Sequence, residues 1–321
     1  MAKILVIGGA GYIGSHVVLE LLNKGHDIVV FDNLSTGQKV NLFDKAQFIE
    51  GDILDIAALE NAMSQNIDAV IHLAAKKAVG ESMAHPEFYA SNNIVGAINI
   101  LNTMLKFKVK NIVFSSSAAV YGLPKYLPVD EKHEKMPINF YGYTKSLIED
   151  LMEWYAQLKG IRYIALRYFN AVGYDALGRI KGKEKNPQNL LPIIMEAATG
   201  QRDGFSVFGN DYDTKDGTCE RDYIHVSDLA DAHEKAVQKL MTGCKSYRLN
   251  LGTGMAVSVQ EMIDATERVI GKPLKYMYAS RREGDPAKLF ADSSLAHEVL
   301  GWYPKYTRIE DIIQTTWNME K

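Results

Sequence analysis

The chain has 321 residues, 47% of them hydrophobic, enough for a large α/β core with a smaller lobe beside it. Its net charge of -3 and pI near 6.3 argue against nucleic acid or an anionic membrane as partner. The only cysteines, Cys219 and Cys244, form no metal-binding pattern, and no apolar stretch approaches the ~20 residues of a membrane span; the sequence predicts a soluble, cytoplasmic protein without a structural metal.

A short apolar strand, Ile4–Ile7, runs into the turn Gly8-Gly9-Ala10-Gly11-Tyr12-Ile13-Gly14. Ile13, Val17, Val18, Leu21 and Leu22 mark one face of a helix that stops at Gly25, and a second strand, Ile28–Phe31, ends in Asp32. Strand, glycine triplet, helix, strand and acid in this order make a dinucleotide-binding half-site. Gly8 lets the chain turn, Gly11 lets the backbone approach a pyrophosphate, and Gly14 lets helix and strand pack closely. The helix N-terminus offers free N–H groups to the phosphates. Asp32 suits the two hydroxyls of an adenosine ribose and repels a 2′-phosphate, which favours NAD over NADP.

Alternation continues beyond Asp32. Strands are predicted at Gln47–Glu50, Ala69–Leu73, Ile112–Ser115 and Tyr163–Leu166, with helices between them near Ala57–Ser64, Pro86–Phe107 and Gly142–Lys159. That rhythm predicts βαβ crossovers: a doubly wound parallel sheet of Rossmann type, with helices on both faces. After Arg167 the rhythm breaks. Gly, Pro, Asn and Asp crowd 173–189, a helix follows near Leu190–Thr199, and 209–217 is a polar loop. The basic stretch Arg179 to Lys185 lacks aromatics and is read as a solvated loop. Asp211, Asp213 and Asp216 have the wrong spacing for a calcium loop. A helix near Val226–Met241 and a strand at Tyr247–Leu251 return to the main sheet; helices near Ser258–Ile270, Ser293–Leu300 and Ile309–Asn318 complete a smaller, interleaved α/β lobe. The expected division is 1–169, with about 225–252, as the dinucleotide-binding domain, and 170–224 with 253–321 as the lobe that binds substrate.

Open α/β sheets bind ligands at the carboxyl ends of their strands, and this rule sorts three Tyr-x-x-x-Lys matches. Tyr121/Lys125 spans Pro124 and is no regular helical pair. Tyr155/Lys159 closes its helix, at the wrong edge of the sheet. Tyr141/Lys145 opens the same helix, four residues apart on one face, at the ligand edge. A lysine ammonium beside a phenol favours phenolate, and the helix N-terminus adds to that effect. Tyr141 could then take a proton from a substrate hydroxyl while the adjacent carbon gives up hydride. One hydroxyl of Ser115-Ser116-Ser117 could bind the reacting oxygen and relay the proton. His225, between Ile224 and Val226, is read as a packed structural histidine.

Longer segments carry a specific resemblance: Gly8-Gly-Ala-Gly-Tyr-Ile-Gly-Ser-His16, Phe31-Asp-Asn-Leu-Ser35, His72-Leu-Ala-Ala-Lys-Lys-Ala-Val-Gly-Glu-Ser82, Ser115-Ser-Ser-Ala-Ala-Val-Tyr-Gly122, Tyr141-Gly-Tyr-Thr-Lys145, Leu166-Arg-Tyr-Phe-Asn170, Phe208-Gly-Asn-Asp-Tyr212 and Arg221-Asp-Tyr-Ile-His-Val226. Over essentially its whole length the chain resembles the UDP-glucose 4-epimerase family of the extended short-chain dehydrogenases/reductases. The resemblance implies a tightly held NAD that oxidises C4 of a UDP-hexose, UDP-glucose or UDP-galactose, and returns hydride to the other face after the 4-keto sugar has turned over. It places cofactor contacts at Tyr12, Ile13, Asp32, Asn33, Leu34, Ser35, Thr36, Gly37, Asp52, Ile53, Leu73, Ala74, Ala75, Lys77, Asn92, Ser115, Tyr141, Lys145 and Phe169. It places UDP-sugar contacts at Ser117, Tyr141, Asn170, Asn189, Leu190, Ser206, Val207, Phe208, Arg221, Arg282 and Asp285, with Tyr141, Lys145 and Ser117 as the catalytic set. Leu289 falls at a gate position: a tyrosine there restricts the pocket to plain hexoses, so leucine predicts side activity on UDP-N-acetylglucosamine. A homodimer through the two long helices is implied as well. A nucleotide-sugar 4,6-dehydratase is the alternative, but the positions of its acid pair carry Ala118 and Ala119. A non-catalytic NAD-sensing regulator would not need Tyr141, Lys145 and Ser117.

Overall fold

The computed structural model describes residues 1–321 apart from Lys185, Asn186 and Glu283. Among the described residues, seven strands form one parallel sheet. They are β1 (Lys3–Ile7), β2 (Asp27–Asp32), β3 (Gln47–Glu50), β4 (Ala69–His72), β5 (Asn111–Ser117), β6 (Arg162–Tyr168) and Tyr247–Leu251. Their spatial order is Tyr247–Leu251, β6, β5, β4, β1, β2, β3.

Period-two alternation sends successive side chains of β1 into separate cores. Ile4 and Val6 join Val17, Val18 and Leu21 of α1 (Tyr12–Asn23) and Leu229 and Leu240 of the helix Val226–Met241. Leu5 and Ile7 join Leu59 of α2 (Ile56–Met63), Ile100 and Met104 of Gly96–Lys106, and Ile148 and Met152 of Phe140–Lys159. Helices thus cover both faces of the sheet. Because every strand runs the same way, Gly8, Asp32, Asp52, Leu73, Ser117 and Phe169 all fall at or just beyond strand ends along one edge.

A third core, including Leu191, Ile194, Val207, Met262, Ile263 and Ile313, belongs to the smaller lobe. Short strand pairs frame this lobe and its junction with the main sheet: Asn170–Val172 with Tyr223–His225, Phe205–Phe208 with Tyr276–Ala279, and Glu220–Arg221 between Val257–Ser258 and Lys288–Leu289. At two to four residues each they are too short to show a hydrophobic period.

Two expectations need correction. The predicted helix Pro86–Phe107 is not continuous: Pro86–Tyr89 and Gly96–Lys106 are α-helical, but Ala90–Val95 between them is a π-helical turn. Nor is 179–184 a solvated loop. Ile180 is fully buried, the Gly182 N–H donates to Asn41 Oδ1 at 2.7 Å, and Arg179 grips Asp175. The last residue of that basic stretch, Lys185, lies outside the described residues.

Candidate active site

The glycine turn has the geometry its sequence requires. Gly8 has φ +87°, and a Cβ on Gly14 would stand 2.0 Å from the Gly8 carbonyl oxygen. Gly11 caps α1 without a side-chain hydrogen bond, and the first turn carries no acidic residue. The amides of Tyr12, Ile13 and Gly14 therefore start a helix whose first turn holds no carboxylate of its own against the positive end. The Tyr12 side chain itself points elsewhere: its hydroxyl donates to Gly173 O at 2.5 Å, beside Tyr174.

Asp32 is buried between the turn and the loop after β2. Its carboxylate accepts from Ala10 N at 3.0 Å and Leu34 N at 2.8 Å. Burial pushes its pKa up, against the pull of these two N–H groups. Gly37 is packed onto it; a Cβ there would meet Asp32 Oδ1 at 2.7 Å. Leu34 holds φ +57°, while Asn33, Ser35 and Thr36 are exposed. Asn33 donates to Asp52 Oδ2 at 2.7 Å, joining the ends of β2 and β3, and Ile53 is buried beneath Gly96.

Leu73, Ala74 and Ala75 leave β4 half-buried. Lys77 is exposed and pairs with Glu184 at 2.7 Å. Asn92 donates to its neighbour Asn93, and Asn93 organises this region. The Asn93 amide accepts from Lys76 N at 2.9 Å, donates to Lys76 O at 3.0 Å and donates to Thr144 Oγ1 at 3.2 Å. It thereby ties the segment after β4 to the helix that carries Tyr141. The π turn that aims it inward gives no signal in the hydrophobic pattern.

Asn139 opens that helix, accepting from Gly142 N at 2.8 Å, and Ser82 Oγ accepts from Tyr141 N at 3.1 Å. Tyr141 is half-buried; burial raises its phenol pKa, and a hydrogen bond with Ser117 pulls the other way. Lys145 is buried, and its Nζ donates to Ser115 O at 2.6 Å. Burial lowers its pKa to about 7, opposed by Glu149. Burial therefore outweighs any lowering of the Tyr141 pKa, and its net shift is upward. Burial disfavours charge on both groups, and the ammonium is committed to a backbone carbonyl.

The strand-end serines have separate partners: Ser115 Oγ meets the Tyr168 hydroxyl, Ser116 Oγ bonds Glu149, and Ser117 Oγ accepts from Ala119 N at 3.2 Å. Tyr168 was not singled out from sequence, though it directly precedes Phe169. The other two tyrosines lie elsewhere. Tyr121 is buried on Asn250 and Arg167, and Tyr155 reaches Asn102 at the surface.

In the smaller lobe, Arg221 and Leu289 are register partners on adjacent strands. Arg221 donates to Pro286 O at 2.8 Å and lies 3.4 Å from Asp285. The Arg282 guanidinium sits 4.0 Å from the centre of the Phe208 ring. Ser206 and Phe208 are half-buried, but the Val207 side chain belongs to the lobe core, leaving its backbone for any ligand contact. Asn170 donates through both its backbone N and Nδ2 to Asp222 O. Asn189 begins the helix Leu190–Ala198 without a side-chain cap and shares a small pocket with Tyr12, Gly173 and Glu184. Leu289 and Phe169 pack against one small cluster containing Ala118 and Val120, next to Ser117. His225 is buried and stacked on Tyr306 at 3.8 Å between ring centres. Asp211 pairs with Arg281, whereas Asp216 bonds Thr218 and Ser258.

Residues 4–252 match the model of the NAD-dependent epimerase/dehydratase family. The chain belongs to this family. Among curated relatives of this epimerase/dehydratase chain, a UDP-glucose 4-epimerase of Rhizobium meliloti is 47% identical over 318 residues, covering 98% of this chain and 96% of the relative. The crystal structure of UDP-glucose 4-epimerase from Brucella ovis in complex with NAD superposes with a TM-score of 0.95 at 44% identity, covering 98% and 97% of the two chains. A UDP-Glc/GlcNAc 4-epimerase of Campylobacter jejuni superposes with a TM-score of 0.88 at 37% identity, covering 100% and 99%. The residues present in this family member fit NAD: an uncapped helix start behind a glycine turn, and a buried carboxylate at the end of β2 with no cation among its hydrogen-bond partners. Among the described residues, no helix is long and apolar enough to cross a membrane.

Proposed function

We propose that the chain is a UDP-glucose 4-epimerase, an isomerase that interconverts UDP-galactose and UDP-glucose. The observation that carries this reading is the meeting of Tyr141, Lys145 and Ser117 at the carboxyl end of β5, on the same sheet edge as the glycine turn and Asp32. Bound NAD would supply the store for hydride, taken from C4 of the sugar and returned on the other face after the 4-keto sugar has turned over. Tyr141 takes the proton of the C4 hydroxyl and gives it back. Ser117, bonded to Tyr141, holds the same oxygen and relays that proton. Lys145 supplies positive charge that favours the phenolate, and Asp32 binds the adenosine ribose.

Arg221 and Arg282 bind the diphosphate, for which planar guanidinium groups are suited. Asn189, Leu190 and the uncapped helix they begin border the same ligand. Residues 1–169 with about 225–252 form the NAD-binding domain; 170–224 and 253–321 form the UDP-sugar lobe. Ala118 and Ala119 offer no acid–base group beside Ser117, which disfavours a 4,6-dehydratase.

Leu289, beside Phe169 and Ala118, leaves room for a 2-acetamido group, and the Campylobacter jejuni relative is named for both sugars. Two copies join through the helical stretch 86–106 and the helix Phe140–Lys159, where Phe88, Val95, Tyr143, Trp154 and Leu158 are exposed apolar residues. The two free cysteines suit the reducing cytoplasm. Product analysis after incubation with UDP-galactose tests the reading, UDP-glucose being the expected product.

A further inference from the structure

Tyr141, Lys145 and Glu149 follow one another at four-residue intervals on the inward stripe of the helix Phe140–Lys159. The epimerase reading uses the first two. Glu149 is fully buried, and its carboxylate is bonded on both oxygens. Oε1 accepts from Ser116 Oγ at 2.6 Å and Arg167 Nε at 2.9 Å, while Oε2 accepts from Arg167 Nη2 at 2.6 Å. Arg248 Nε at 3.4 Å and Lys135 Nζ at 3.8 Å also face Oε2. A buried ion pair of this kind is a weak source of stability, because desolvation offsets most of the attraction. Its placement suggests another use.

Ser116 stands between the two serines that meet the catalytic pair. Ser115 offers its carbonyl to Lys145, and Ser117 bonds Tyr141. Glu149 therefore grips the strand end from the same helix that carries Tyr141 and Lys145, fixing the spacing between phenol, ammonium and serine hydroxyl. Lys145 is enclosed by the Phe114 ring at 4.8 Å, the Tyr141 ring at 5.8 Å, the neutral His72 imidazole and the Ser115 carbonyl. Glu149 is the carboxylate that acts on it from two turns beyond Tyr141.

We propose that Glu149 is a positioning residue for the reaction: through Ser116 it locks the end of β5 to the catalytic helix, and its negative charge keeps the Lys145 ammonium in place. This rests on the epimerase reading above. Removing the charge should make Lys145 release its proton at lower pH, so the alkaline fall in kcat should move down by about one pH unit. Removing the Ser116 hydroxyl should loosen the geometry without moving that fall.

The test compares NAD-loaded wild type, Glu149→Gln, Glu149→Asp and Ser116→Ala, with UDP-galactose turnover followed from about pH 6 to pH 10 and the thermal midpoint measured alongside. Expected are an alkaline limb shifted down in Glu149→Gln and restored in Glu149→Asp, and a kcat roughly fivefold lower in Ser116→Ala at unchanged KM. A Glu149→Gln profile that superimposes on wild type with only a lower thermal midpoint overturns the proposal. If that variant does not fold, wild-type kcat in Ser116→Ala overturns it. The Lys145 titration, followed by nuclear magnetic resonance of isotopically labelled lysine and assigned with Lys145→Ala, needs no turnover. An unchanged lysine pKa in Glu149→Gln sinks the proposal alone, whereas an inactive wild type sinks the epimerase reading.

Discussion

Lys145 follows Tyr141 by one helical turn, yet its ammonium reaches past the phenol to the Ser115 carbonyl, at 2.6 Å, and stands 5.8 Å from the centre of the Tyr141 ring. The ammonium is anchored on the strand end, and among the described residues it makes no hydrogen bond to the phenol. Burial pushes the Tyr141 pKa up and brings that of Lys145 down to about 7, so burial works against charge on both groups.

Tyr141→Phe should lower turnover by at least ~100-fold, the scale of a lost general base. Nucleotide-sugar binding and NAD content should be preserved. Lys145→Ala should be comparably harmful. Steady-state rates with UDP-galactose decide this, and near-normal activity in Tyr141→Phe would remove the proton-transfer role.

The competing Tyr-x-x-x-Lys matches should behave differently. The Tyr121 hydroxyl donates to Asn250 Oδ1 at 2.6 Å and accepts from Arg167 Nη1 at 2.8 Å. Tyr121→Phe leaves both partners short inside the core, at a cost of about 1–3 kcal/mol of stability. Chemical denaturation should show that loss with turnover changed less than about threefold, because the hydroxyl does not reach Tyr141. Tyr155→Phe, at the surface, should cost under about 1 kcal/mol. A kinetic defect in Tyr121→Phe as deep as that of Tyr141→Phe would assign the proton transfer to Tyr121 instead.

The edge rule selected Tyr141 from sequence because parallel strands share their ligand edge, and β5 does end in Ser117 within reach of Tyr141. Three features escaped that logic. Asn93 sits on a π turn, which shifts the inward face of the helix and hides from a 3.6-residue period. Tyr168 and Glu149 are joined to the serines by side-chain hydrogen bonds across elements, and such pairs leave no local pattern. The lobe strands that carry Phe208, Arg221 and Leu289 are short and irregular, so only their resemblance to a known family marked them.

Leu289 packs with Phe169 against the cluster of Ala118 and Val120, on the strand register of Arg221. Wild type should turn over UDP-N-acetylglucosamine measurably, with preference for the plain hexose. Leu289→Tyr should abolish the acetamido activity and spare the hexose reaction. No turnover of the acetamido sugar by wild type at high concentration would place the gate elsewhere.

Four buried histidines set the acid limit of stability. Burial lowers the pKa of His16 and His233 to about 4 and of His72 and His225 to about 3. His72 Nδ1 and His233 Nε2 have no hydrogen-bond partner among the described residues, so a charged ring would bury an unpaired donor. The unfolded chain takes up these protons near pH 6.5, and the folded chain does so only near pH 4 or below. Stability is thus full above the unfolded value and is lost as pH falls through this window. Guanidinium titrations should show a loss of about 1 kcal/mol for each histidine between pH 7 and pH 5.5. Equal stability at both values would mean that the rings bind protons in the folded state.

Epimerisation at C4 of a UDP-hexose with NAD that stays bound is tested directly on the protein as purified. Purified protein, with no dinucleotide added, should be incubated with UDP-galactose and the nucleotide sugars separated. The expected outcome is a mixture of UDP-galactose and UDP-glucose at equilibrium, with NAD released when the protein is denatured. A 4-keto-6-deoxy product, or turnover only after NADP is supplied, would contradict it.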